Sequence, residues 1–134
     1  MAPGFRFILE CVSVLSYCVD DGLLIIVPQG IISLPERQAV YERIRRDPNV
    51  PDPVCVLVDA RHAPDATPDT VRERAQSMVA RLAPKTICVC AVLIPRGDQL
   101  GAHAFRDAAA NVGVRVGLFS DESLARQWLS AYQV

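Results

Sequence analysis

Five apolar residues at positions 54–58, followed at once by Asp59, Arg61 and His62, constrain the fold of this chain more than any other segment. A short, continuous apolar run is typical of a strand buried on both faces, the kind of strand found in parallel sheets. In open α/β sheets, ligands bind beyond the carboxyl ends of such strands. The polar residues that follow position 58 are therefore the first candidates for a functional surface.

Strand and helix signals alternate along the rest of the chain. Apolar segments at 5–19 and 23–27 flank an Asp-Asp-Gly turn, which predicts an antiparallel hairpin. Residues 86–94 and 114–119 predict two further strands. Four helices are predicted to begin at the capping box of Ser33 and Glu36, at Thr67, at Asp98 and at Asp121. The inward faces predicted for the first two helices are Ala39, Val40 and Ile44, and Val71, Ala75, Met78, Val79 and Leu82.

The resulting order is β-β-α-β-α-β-α-β-α, which predicts one α/β domain over residues 1–134. Strands that alternate with helices imply right-handed crossovers and a mainly parallel sheet. The opening hairpin adds one antiparallel strand, which we expect at an edge of the sheet. Because an edge strand has unpaired backbone groups, a homodimer formed through it is one expected assembly.

Composition excludes several classes of function. Hydrophobic residues make up 51% of the 134 residues and charged residues 22%, which is a globular composition. The net charge of −1 provides no basic excess for a nucleic-acid backbone. The apolar segment at 5–19 is interrupted by Glu10 and is too short to span a bilayer. The five cysteines are interpreted as small buried hydrophobes in a reducing compartment, so we predict a cytoplasmic protein without an integral membrane segment.

The predicted strand ends and the helix starts beside them carry the candidate binding surface. It consists of Asp59, Arg61, His62, Thr67, Thr70, Arg96, Asp98, His103 and Arg106. One interpretation is a polar pocket or a docking surface. The structural alternative is that Asp59 accepts backbone hydrogen bonds and pairs with Arg61, while Thr67 caps a helix.

The sequence lacks a complete catalytic set. His62 and His103 are the only histidines, and the predicted positions of the cysteines lie within strands, where a thiol is a poor nucleophile. Cys88 and Cys90 share one face of a strand, but no second ligand pair completes a zinc site. We therefore predict no enzymatic activity, no cofactor and no metal.

The order of these motifs resembles that of STAS domains, the fold of anti-sigma-factor antagonists and of sulfate-transporter tails, and most closely that of uncharacterised bacterial STAS-like proteins. The resemblance spans most of residues 12–132. It is carried by Gly30, the segments VLVDAR at 56–61 and AVLI at 91–94, Gly101 with Ala104 and Arg106, and the segment at 116–129 that ends in Trp128 and Leu129.

The resemblance implies a signalling module that binds a protein. Regulated members carry a phosphorylated serine in an Asp-Ser-Ser-Gly loop after the central strand, whereas this chain has Thr67 and Thr70 in that region and lacks the motif. The leading hypothesis is therefore a non-enzymatic STAS-like module that binds a protein partner through the 59–70 loop and the start of the second predicted helix.

Two alternatives stay open. One is a small-molecule or lipid binder that uses a strand-end pocket, with a cavity of several hundred Å³ beside Asp59, Arg96 and His103. The fold is also similar to that of CRAL/TRIO lipid-transfer domains, but this chain is short for one and has no surplus apolar helix to act as a lid. The other alternative is an enzyme in which His62 or His103 works with Asp59 or Asp98.

Overall fold

The computed structural model describes residues 14–64, 67–82, 87–95 and 100–133. Its elements follow the predicted order and form one five-stranded sheet with four helices. In chain order they are β1 (Val14–Asp20), β2 (Leu23–Gln29), α1 (Leu34–Arg46), β3 (Val54–Asp59), α2 (Pro68–Leu82), β4 (Ile87–Leu93), α3 (Leu100–Asn111), β5 (Arg115–Phe119) and α4 (Glu122–Ser130).

The strands lie side by side in chain order, from β1 at one edge to β5 at the other. The first pair is antiparallel, and the three later pairs are parallel. The prediction of a mainly parallel sheet with an antiparallel edge strand is thus confirmed. The hairpin turn has positive φ angles at Asp21 (56°) and Gly22 (78°), the backbone pattern of a tight two-residue turn that twists with its strands.

The connections explain why the helices divide unequally between the two faces of the sheet. Helices α1, α2 and α3 each join neighbouring parallel strands that advance in one direction, so right-handed crossovers place all three on the same face. Their side chains share one core with alternate strand residues. Helix α4 follows the last strand without a crossover, and its Ala125 and Leu129 pack on the opposite face with Leu57 and Leu93.

Local signals account for the helix boundaries. Ser33 Oγ accepts a hydrogen bond from the Glu36 amide at 3.3 Å, and the Ser33 amide donates to Glu36 Oε1 at 3.4 Å, which completes the predicted capping box. Asp121 Oδ1 accepts from the Ser123 amide at 2.8 Å and caps α4. Gly113, just after α3, has a φ of 88°, which favours glycine at a helix end.

Two predictions about burial differ from the structure. Ala39 is exposed, because the inward face of α1 is formed by Arg37, Val40, Tyr41 and Ile44 instead. Cys18 is exposed as well, since β1 packs its alternate residues against α1 and Cys18 lies on the other face. The predicted strand at residues 5–13 lies outside the described residues. Among those that are described, no helix has the length and apolar character needed to cross a membrane.

Candidate functional site

The carboxyl end of β3 forms an ion-pair cluster on the α4 face of the sheet. Arg61 donates to both carboxylate oxygens of Asp59, from Nε at 2.9 Å and from Nη2 at 2.8 Å, and its backbone amide donates to Oδ1 at 3.2 Å. Arg61 Nη2 also reaches Glu122 Oε1 at 3.2 Å. The structural alternative for Asp59 and Arg61 therefore describes the observed contacts. These bonds from Arg61 hold the pKa of Asp59 below its usual range.

The cluster continues along α4 and joins three parts of the chain. Arg126 donates to Glu122 Oε2 at 2.9 Å and lies 3.4 Å from Asp20 at the end of β1. Charges of alternating sign thus connect the ends of β1 and β3 with the first turns of α4. Because Arg61 engages both oxygens of the Asp59 carboxylate, the arrangement is suited to holding these elements together.

The loop after β3 and the first turn of α2 carry three of the other candidates. His62 is exposed, and its carbonyl accepts a hydrogen bond from the Gly30 amide at 3.3 Å. Thr67 Oγ1 accepts from the Thr70 amide at 3.4 Å and lies 2.8 Å from Thr70 Oγ1, which is the contact expected of a helix cap. Both threonines are exposed. We call His62, Thr67 and Thr70 the 62–70 surface.

The remaining candidates lie on or before α3. His103 is half-buried, and the exposed Arg106 lies 3.5 Å from Asp107. Arg96 and Asp98 fall outside the described residues. The structure thus brings Asp59 together with Arg61, and Thr67 together with Thr70.

A cavity of about 100 Å³ lies on the opposite face of the sheet from Asp59, between the strands and helices α1–α3. We call it the α1–α3 cavity. It sits at the carboxyl ends of the three central strands, because its lining includes Ile26, Val58 and Val92 on the sheet side, with Tyr41, Met78 and Phe105 on the helix side. This cavity is smaller than the pocket predicted beside Asp59 and lies elsewhere. Successive strand residues point to opposite faces of the sheet, and the Asp59 side chain points to the α4 face.

Two arginines, Arg37 of α1 and Arg74 of α2, give this apolar lining its positive charge. The Arg37 side chain is almost fully buried, at 7% exposure. Burial, and then the neighbouring charge of Arg37, lower the pKa of Arg74. Burial raises the pKa of Tyr41, whose hydroxyl therefore stays neutral beside them.

The sequence interpretation missed both arginines, although the helical spacing contained the signal. Arg37 precedes Val40, Tyr41 and Ile44 at intervals of three, four and seven residues, which places it on the buried stripe of α1. Arg74 lies three residues after Val71, which is itself buried. A charged residue within an apolar stripe is the observable sign of such a position.

The chemistry of the other described groups is limited. Within the described ranges, no three His, Cys, Asp or Glu side chains lie close enough to hold a metal ion. Burial raises the pKa of the Cys90 thiol to about 12, which suppresses the nucleophilic thiolate.

Comparison with known proteins identifies the fold. No protein-family model matches the sequence, and no curated protein matches it. Among solved structures, the chain is similar to an uncharacterised protein of the DUF3478 family with a SpoIIAA-like fold from Shewanella loihica PV-4. The two are 13% identical, with a TM-score of 0.61 over 87% of this chain and 93% of the other. This chain therefore has a SpoIIAA-like fold, the fold of STAS domains.

Proposed function

We propose that this chain is a non-enzymatic STAS-like binding module that holds a small, largely apolar molecule in the α1–α3 cavity. The observation that carries the proposal is the cavity of about 100 Å³ at the carboxyl ends of the central strands. An engineered apolar cavity of ~150 Å³ binds benzene, so a partly open pocket of this order accommodates a short alkyl or aromatic group.

The absence of enzymatic activity is part of the proposal, and the state of the strand-end groups supports it. A general base needs an available lone pair and a pKa near the working pH. The Asp59 carboxylate is instead engaged by Arg61 and has a lowered pKa. The side chains that line the cavity are apolar or cationic, with the neutral Tyr41 hydroxyl as the exception.

A titration of the full chain with hexan-1-ol and with hexanoate, followed by ¹H–¹⁵N NMR, tests this proposal. We expect saturable shifts at residues that line the cavity for at least one of these probes. Ala102→Leu extends a side chain into the cavity from α3, and it should abolish the shifts. Ala110→Leu adds the same atoms at an exposed position of the same helix and should leave them unchanged. Absence of saturable binding by both probes in the wild-type chain would refute the proposal.

A second candidate function, binding of a protein partner through the 62–70 surface, is supported by the position of the loop. Ala63 and Pro64 line the α1–α3 cavity, while the neighbouring His62 is exposed. A molecule in the cavity would therefore touch the same loop that a partner would contact. A partner captured by the wild-type chain should be lost when His62, Thr67 and Thr70 are replaced together by alanine. Equal capture by both would count against this surface.

A further inference from the structure

Arg37 presents a buried donor that the described protein groups leave unused. Its side chain lines the α1–α3 cavity at 7% exposure, and its Nε has no hydrogen-bond partner within the described residues. Buried polar groups in native proteins almost always have a partner, and a charged one even more so. Because the Arg37 side chain lines the cavity, we take its unused donor to indicate a ligand that accepts hydrogen bonds.

Arg74 adds a second positive charge at the same wall. In the described part of the chain, neither Arg37 nor Arg74 lies within ion-pair distance of a carboxylate. Unlike Arg45, Arg61, Arg72, Arg106 and Arg126, which pair with an acid, Arg37 and Arg74 combine the lack of an ion pair among the described residues with a place in the lining of the cavity. The adjacent Tyr41 hydroxyl is neutral and cannot balance the charge. The two cations repel each other, and burial strengthens that repulsion.

We propose that the molecule held in the α1–α3 cavity is an oxyanion with a short apolar tail, whose carboxylate or phosphate head lies between Arg37 and Arg74. This inference rests on the proposed function and specifies its ligand class. Guanidinium groups donate paired hydrogen bonds to carboxylate and phosphate oxygens, which would satisfy the Nε of Arg37 and neutralise the repulsion. The tail would lie against Ile26, Val92 and Phe105, in the apolar part of the lining.

Four probes separate the contributions of head and tail. Hexanoate and hexyl phosphate carry both, hexan-1-ol carries the tail alone, and acetate carries the head alone. Isothermal titration of the full chain should show hexanoate or hexyl phosphate binding at least about tenfold more tightly than hexan-1-ol and than acetate. The tighter of the two anions identifies the head group. Binding of hexan-1-ol as tight as that of both anions would overturn this inference and leave the proposed function standing, whereas absence of binding by all probes would overturn both.

Charge-removing variants provide a second, independent readout. Arg74→Gln should weaken hexanoate binding by about tenfold or more and leave hexan-1-ol binding nearly unchanged, because only the head group loses a partner. Arg72→Gln is the matched control, since Arg72 is an exposed arginine of the same helix that pairs with Asp69. If both variants bind hexanoate like the wild type, the head group does not lie at Arg74 and the inference fails. The comparison of probes on the wild-type chain needs neither variant to fold.

Discussion

Replacement of Arg37 by methionine should stabilise the ligand-free protein. A buried donor without a partner costs about 1–3 kcal/mol, and Arg37 Nε is such a donor within the described structure. Methionine retains an unbranched stem of similar length, so the packing of that stem against the core is largely kept. The substitution also removes the charge that lowers the pKa of Arg74.

We therefore expect Arg37→Met to raise the free energy of unfolding by about 1 kcal/mol or more. Urea denaturation measures this as a higher midpoint at an unchanged m-value. The melting temperature should rise by roughly 3–5 °C for each kcal/mol in a chain of this length. Arg72→Met is the control. It removes an exposed ion pair with Asp69, so it should change the free energy of unfolding by less than about 0.5 kcal/mol.

The opposite result would refute the reasoning. If Arg37→Met destabilises the ligand-free chain by more than about 1 kcal/mol, the guanidinium makes a net favourable contribution without a ligand. If Arg37→Met raises the stability and binds hexanoate as tightly as the wild type, Arg37 does not contact the head group.

Three further outcomes follow from other parts of the molecule. Asp59→Asn should lower the free energy of unfolding near neutral pH by about 1 kcal/mol. Because the pKa of Asp59 is lowered in the folded state, this contribution is present above the ordinary aspartate pKa and is lost as the pH falls through the folded pKa. The urea midpoints of variant and wild type should therefore converge in acid, and equal midpoints at neutral pH would contradict the prediction. Gly117→Ala should cost about 1–3 kcal/mol by overpacking, since a Cβ there would lie 2.8 Å from Phe119 Cε2 and 3.1 Å from the Trp128 ring. Thermal unfolding at the wild-type temperature would disprove that crowding. Iodoacetamide should label the exposed Cys18 in the native protein and label Cys90 only in urea, as mass spectrometry of the peptides can show; native labelling of Cys90 would contradict its burial and raised pKa.

The architecture was predictable because its signals are local. The Ser33–Glu36 capping box, the Asp-Asp-Gly turn and the glycine at 113 each act over a few residues, and the apolar periods set which face is buried. The strand order then follows from right-handed crossovers between neighbouring strands. The contact of Asp59 with Arg61 was also accessible from the sequence, since the two lie only two positions apart.

The cavity was not predictable, because it depends on how three helices pack on one sheet. An arginine in a helix is ordinarily interpreted as a surface charge whose stem covers apolar residues. Arg37 and Arg74 meet only when α1 and α2 lie side by side, which no local pattern specifies. The contact between Arg61 and Glu122 spans 61 residues and was missed for the same reason.

The most direct test of the central claim is the NMR signal of the Arg37 Nε–H group during a hexanoate titration. In the ligand-free chain this donor has no partner among the described residues. We predict that its resonance shifts downfield and saturates with hexanoate, and that hexan-1-ol leaves it in place. Saturable hexanoate binding with an unchanged Arg37 Nε–H resonance would contradict the claim that the α1–α3 cavity binds a tailed oxyanion through Arg37.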